Sequence, residues 1–183
     1  MTTKPSLTHY LKIDYRAESL TQIIHGLDNA IKTLQERMEE HPWYDGLWFR
    51  EDSEPIYGLS FIAFQNYING TIKDIINSTS DKTKYYNLQP KFKQYDKSGI
   101  ELIIGLANYI KHKEEDGPLH KKTAEILKSF GLDVSKEADI VDSSPIFEGL
   151  TILTDNWNLY DIESIVTSWR ANLFTNTNEK NWL

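Results

Sequence analysis

Asn108 and His112 stand four residues apart in a stretch whose apolar positions, Ile100, Ile103, Ile104, Ala107 and Ile110, follow the helical period. Both side chains therefore project from one side of a helix, with Glu101 and Ile104 further back on that side. A side-chain amide can orient an imidazole, and the dipole favours the charged form of a histidine near a helix C-terminus. Lys111 and Lys113, flanking His112, attract a phosphate while opposing that protonation. Such a set suits general acid or base catalysis on a ribose hydroxyl, with His112 as the proton carrier, Asn108 as its positioner and Lys111 as the accompanying cation. The same spacing also describes a histidine that only caps a helix end.

A second group of candidates carries no chemistry but can bind. The stretch from Glu36 to Glu54 concentrates acid, against only Arg37 and Arg50, and interleaves it with aromatic rings. Glu39, Glu40, Asp45, Glu51 and Asp52 supply charge that steers a basic partner, and Trp43, Tyr44 and Trp48 supply anchors of the kind that dominate binding energy. Phe49 belongs to the same group, and all four rings are equally candidates for the core. Another acidic stretch covers 133–163. Between the two, Lys82, Lys84, Lys91, Lys93 and Lys97 alternate with Tyr85, Tyr86, Phe92 and Tyr95, a mixture that suits single-stranded nucleic acid if the rings are free to stack, or a lid across the fold if they are not.

The absences narrow the choice. The sequence of 183 residues holds no cysteine, which excludes disulfides and cysteine-based metal sites or nucleophiles. It has no P-loop, no dinucleotide glycine fingerprint, no GxSxG elbow and no HExxH motif. His9, His25, His41, His112 and His120 include no pair at the four-residue spacing that presents two imidazoles to one metal, so neither metal nor cofactor is expected. A formal net charge of -7 disfavours RNA as a partner and favours a basic protein. No apolar run approaches the ~18 residues of a membrane span, and the first residues carry no signal-peptide core. A cytoplasmic protein without membrane attachment is the expectation, in which the sequons at Asn69 and Asn77 have no use.

Helices must position these residues. Leu20, Ile23, Ile24, Leu27, Ile31, Leu34 and Met38 recur at offsets of three and four, predicting a helix that stops near His41-Pro42. The spacing predicts a loop over 43–52 and a second helix over 55–77, opened by Pro55. That helix is apolar nearly all round, with Tyr57, Phe61, Phe64, Ile68, Ile72 and Ile75 on one face and Leu59, Ile62 and Ala63 on the other. It is therefore central, and Gln65, Asn66 and Asn69 need partners. Segment 78–97 reads as a long connection. Ser98-Gly99-Ile100-Glu101 is a capping box that opens the third helix, and Asp116-Gly117-Pro118 separates it from a fourth, closed by Gly131 in the left-handed conformation with Leu132 in apolar contact. Ser144-Pro145 starts a short helix, and Asp161 caps a last one that buries Ile162, Ile165, Val166, Trp169 and Leu173 before a loose tail in which only Trp182 offers an anchor. No strand is predicted. The fold class is all-α: an up-and-down bundle of five to six helices in one domain, 1-183, with its ordered core over about 10–174.

The segment Ala107-Asn108-Tyr109-Ile110-Lys111-His112 resembles the Arg-Asn-x-x-x-His motif of HEPN domains, an all-α family of bacterial defence and toxin systems. The resemblance implies a bundle of four or five helices, often dimeric, with a metal-independent ribonuclease site. By position, His112 matches the catalytic histidine and Asn108 the polar residue beside the arginine, but Ala107 stands where the arginine belongs. Without a guanidinium the main stabiliser of developing phosphodiester charge is gone, a loss worth a factor of ~100 to 1000 by analogy with oxyanion-hole deletions. Acidic balance and degenerate motif together imply a non-catalytic HEPN-like protein, an immunity or antitoxin-type binder of a basic nuclease toxin. The alternative is a HEPN-type ribonuclease acting through His112, and a homodimer is compatible with either.

Overall fold

The computed structural model describes residues 9–134 and 144–179. After a 3-10 turn at His9–Lys12, α1 runs over Ala17–Glu40 and stops where expected: His41, before Pro42, is extended at φ -125° and ψ 106°. The stripe that α1 buries is narrower than its periodicity predicts. Leu20, Ile24 and Ile31 are inside, whereas Ile23 stays half exposed.

The expected loop over 43–52 is instead the first part of α2, Gly46–Ile76. Asp45, not Pro55, opens this helix, its carboxylate accepting from the backbone N–H groups of Leu47 and Trp48. Pro55 sits inside the helix at an exposed position, so the carbonyl of exposed Glu51 that it leaves without an N–H partner faces water. The predicted inner face is fully buried: Tyr57, Phe61, Phe64, Ile68, Ile72 and Ile75 all form part of the core. With α1, α4, α6 and α7 packed around it, α2 is the central helix.

The 78–97 connection carries more structure than its sequence suggests. It holds one helical turn, α3 (Thr83–Tyr86), and a minimal antiparallel pair, β1 (Lys91–Phe92) and β2 (Lys97–Ser98), with Lys91 opposite Ser98 and Phe92 opposite Lys97. Tyr86 is buried, the Trp169 indole donates to the Tyr85 carbonyl and the Gln89 amide donates to the Ile165 carbonyl, so the segment is strapped to the last helix. This is the lid arrangement.

Ser98 then caps α4 (Gly99–His112) through the complete capping box with Glu101. Next, α5 (Lys121–Ser129) closes in a Schellman motif: Gly131 at φ 78° donates to the Lys128 carbonyl, and buried Leu132 to that of Leu127. Ser144 and Pro145 begin α6 (Pro145–Leu153) as their types predict. The final helix, α7 (Leu159–Glu179), is opened by Asn158, whose side-chain oxygen accepts from the N–H groups of Tyr160 and Asp161; Asp161 lies in the first turn rather than at the cap. Helix continues to Glu179, into the segment after Phe174 predicted to be a loose tail, and Trp182 lies outside the described residues. The fold is an all-α bundle, with seven helices among the described residues, one of them a single turn. Helices α1 and α2 pair directly, as do α4 and α5, while α6 packs back on α4 and α2, and α7 on α2 and α1.

Glu54 of α2 is only 4% exposed. Its carboxylate accepts from Lys113 Nζ at 2.7 Å, just past the end of α4, and from Ser144 Oγ at 2.6 Å, at the cap of α6. One carboxylate thus ties three elements. Lys113→Met leaves that carboxylate without its cation, which should cost up to about 3 kcal/mol, the lower end for a broken buried pair because Lys113 keeps some solvent. Urea unfolding measures it, and Glu54→Gln combined with Lys113→Met should lose less than Lys113→Met alone.

Candidate functional site

Successive residues of α4 serve different neighbours because each is turned by about 100° from the last. Ala107 is fully buried. Position 107, where the HEPN pattern has its arginine, therefore points into the core and away from His112. Asn108 is half-buried and its side-chain oxygen accepts from Gln65 Nε2 at 2.8 Å, while Gln65 Oε1 accepts from Lys111 Nζ. The amide expected to orient the imidazole is thus engaged by α2.

His112, with its side chain 48% exposed, has its Nδ1 at 2.8 Å from Glu115 Oε1. It lines an open hollow of about 490 Å³ between the end of α4 and the start of α5, together with Asn108, Glu115, Asp116, His120 and Thr123. Lys111 lines a different hollow, on the outer side of α1 and α2. Partial burial, and then the nearby Lys82, hold its ammonium below the ordinary lysine range. Lys113 is committed to Glu54. Neither Lys111 nor Lys113 lines the hollow around the imidazole, which carries Glu115 and Asp116 instead. His120, which sequence spacing did not single out, joins it through the turn after α4. No helical offset relates 112 to 120, so only the path of the intervening loop could reveal the pair. Among the described residues no group of three His, Asp or Glu side chains is arranged to hold a metal ion, and no described helix is long and apolar enough to cross a membrane.

The acidic and aromatic candidates divide sharply. Tyr44 is 2% exposed and its hydroxyl donates to Asp52 Oδ2 at 2.7 Å, so it is a core residue and not an anchor for a partner. Burial, reinforced by Asp52, pushes its phenol up to about 12. Asp52 also lies 4.0 Å from Arg37, whose guanidinium stacks over Tyr44 and Trp43. Phe49 is buried too. Trp43 and Trp48 remain exposed at 59% and 49%, and Leu47 beside them at 48%. Glu39, Glu40, Asp45 and Glu51 are exposed around them. The turn between α1 and α2 thus exposes apolar and acidic side chains together; Leu47 escapes a search confined to aromatic anchors.

The basic segment offers no stacking platform. Phe92 and Tyr95 pack on each other and on Phe130, with ring centroids 5.1 to 6.4 Å apart. Lys91 pairs with Asp96 and Lys97 with Glu101. Of the 133–163 acidic stretch, 135–143 lie outside the described residues, and Glu163 accepts a hydrogen bond from Thr21. The sequon at Asn69 lies inside α2, where Tyr86 donates to its side chain. No family model matches the chain, and no curated protein or solved structure is significantly similar to it.

Ala107→Arg supplies the guanidinium that the HEPN pattern calls for, at a position that has no room or water for it. The variant should show no RNase activity in chelator and should melt well below the parent by circular dichroism, with a loss of several kcal/mol for an unpaired buried charge.

Proposed function

We propose that this protein is a non-catalytic acidic binding protein of the immunity or antitoxin kind, which neutralises a basic nuclease by covering it with the α1–α2 corner. The observation that carries this is the exposure of Trp43, Leu47 and Trp48 at one turn, on a segment that also exposes Glu39, Glu40, Asp45 and Glu51. Large apolar side chains at a solvent-exposed turn mark interaction surfaces, and a rim of one charge selects a partner of the other. The net charge of -7 adds long-range attraction toward a basic protein. A cytoplasmic setting fits that role.

A metal-independent ribonuclease built on His112 is the alternative, and one observation favours it: two imidazoles, His112 and His120, line the same open hollow. Acid–base chemistry can use such a pair. The carboxylates beside them and the distance of Lys111 from that hollow disfavour an approaching phosphodiester, which makes binding the better supported function.

The test is affinity for the nuclease encoded by an adjacent gene, measured by calorimetry and stopped-flow. Trp48→Ala should weaken binding about thirtyfold or more, as loss of a central aromatic anchor does at about 2 kcal/mol. Glu39→Lys combined with Glu40→Lys should slow association and flatten its salt dependence while leaving dissociation nearly unchanged. Wild-type affinity in both variants, or RNA cleavage by the purified chain in chelator that His112→Ala abolishes, would overturn the proposal.

A further inference from the structure

The hollow that Lys111 lines is independent of the corner and of His112. It has a volume of about 480 Å³, and its apolar walls are Ile23 and Leu27 of α1 with Leu59, Ile62 and Ala63 of α2. Ile23 is 50% and Leu59 54% exposed, an unusual position for two large aliphatic side chains on neighbouring helices. A smaller hollow of about 190 Å³ shares Ile23, Ala63 and Asn66 with it and continues toward the start of α1, where its lining becomes more polar with Arg16 and Ser19.

Four polar side chains, Gln65, Asn66, Asn69 and Lys111, complete its lining. Lys111 Nζ donates to Gln65 Oε1, which fixes the ammonium at the rim and leaves it two further N–H donors. Asn66 and Asn69 line the same hollow; the Asn69 oxygen accepts from the Tyr86 hydroxyl, which leaves its amide nitrogen as a donor for another partner. Lys111 forms no ion pair among the described residues, and the charge that acts on it is that of Lys82. A cation with a cationic neighbour and no acid, in a chain with seven more acidic than basic side chains, is an electrostatic vacancy for an anion. An apolar trough of this size with a few convergent polar groups is the usual form of a small-ligand site.

We infer that the α1–α2 trough binds an amphiphilic carboxylic acid, its apolar body along Ile23, Leu27, Leu59 and Ile62 and its carboxylate on Lys111 and the Asn69 amide. The carboxylate completes the missing ion pair and relieves the repulsion between Lys111 and Lys82. A neutral or cationic amphiphile of the same length gains only the apolar contact.

Decanoate is the probe, titrated into the full chain by calorimetry below its micellar concentration, with decanol and decyltrimethylammonium as controls. Saturable binding of one decanoate per chain is expected, at least tenfold tighter than either control. Lys111→Gln should weaken decanoate at least tenfold and leave decanol unchanged, and Leu59→Asp should abolish both. These two side chains are exposed, so unaltered melting curves will show that neither variant acts by unfolding. Absence of saturable binding, equal affinity for the cationic amphiphile, or an unchanged affinity in Lys111→Gln would overturn the inference. None of these outcomes depends on whether the Trp48 corner binds a nuclease.

Discussion

A carboxylate held out of water governs this fold. Glu54 lies inside the bundle, and a buried charge persists only when its partners are fixed and its lone pairs are used. Lys113 and Ser144 meet both conditions, and each is itself fixed by a helix terminus: Lys113 by the end of α4, Ser144 by the cap of α6. Glu54 thereby holds the end of α4 and the start of α6 against α2. It also turns inward one of the two lysines that flank His112 in sequence.

That inward turn bears on the proposed function. With Lys113 drawn inward to Glu54 and Lys111 drawn to Gln65, the imidazole at the end of α4 is left among carboxylates. A histidine so placed can exchange protons but has no fixed cation to stabilise a charged phosphoryl transition state. The absent arginine matters less than the direction in which its position points. Ala107 belongs to the core, and restoring a long charged side chain there cannot restore a site on the other face of the helix. The exposed aromatic corner, by contrast, needs no catalytic geometry: it needs a rigid turn and an unpaired apolar surface. Arg37, Tyr44 and Asp52 brace the turn from beneath, and Trp43, Leu47 and Trp48 supply the surface.

Local signals in the sequence were legible wherever the physics is local. The Ser98 capping box, the Ser144-Pro145 start, the Gly131 close and the stop at Pro42 are each settled within a few residues, and the structure has them all. The inner face of α2 followed from periodicity. The start of α2 did not, because Pro55 is a stronger textual signal than Asp45, and a proline at an exposed position is tolerated within a helix when water takes the released carbonyl. Long-range polar choices were illegible for a similar reason. Nothing near Gln65 indicates that it will join Asn108 to Lys111, and nothing near Tyr44 distinguishes it from Trp43, although one is core and the other surface. His120 reached the His112 hollow by the course of a loop, which no period encodes.

The central claim is that the working surface of this protein is the α1–α2 corner and not the end of α4. Hydrogen–deuterium exchange of the complex with the proposed basic nuclease tests this directly, since amide protection reports where the partner sits without altering any residue. Slowed exchange over 41–52, with 112–123 unchanged, is the predicted result. Protection confined to 112–123 would contradict it.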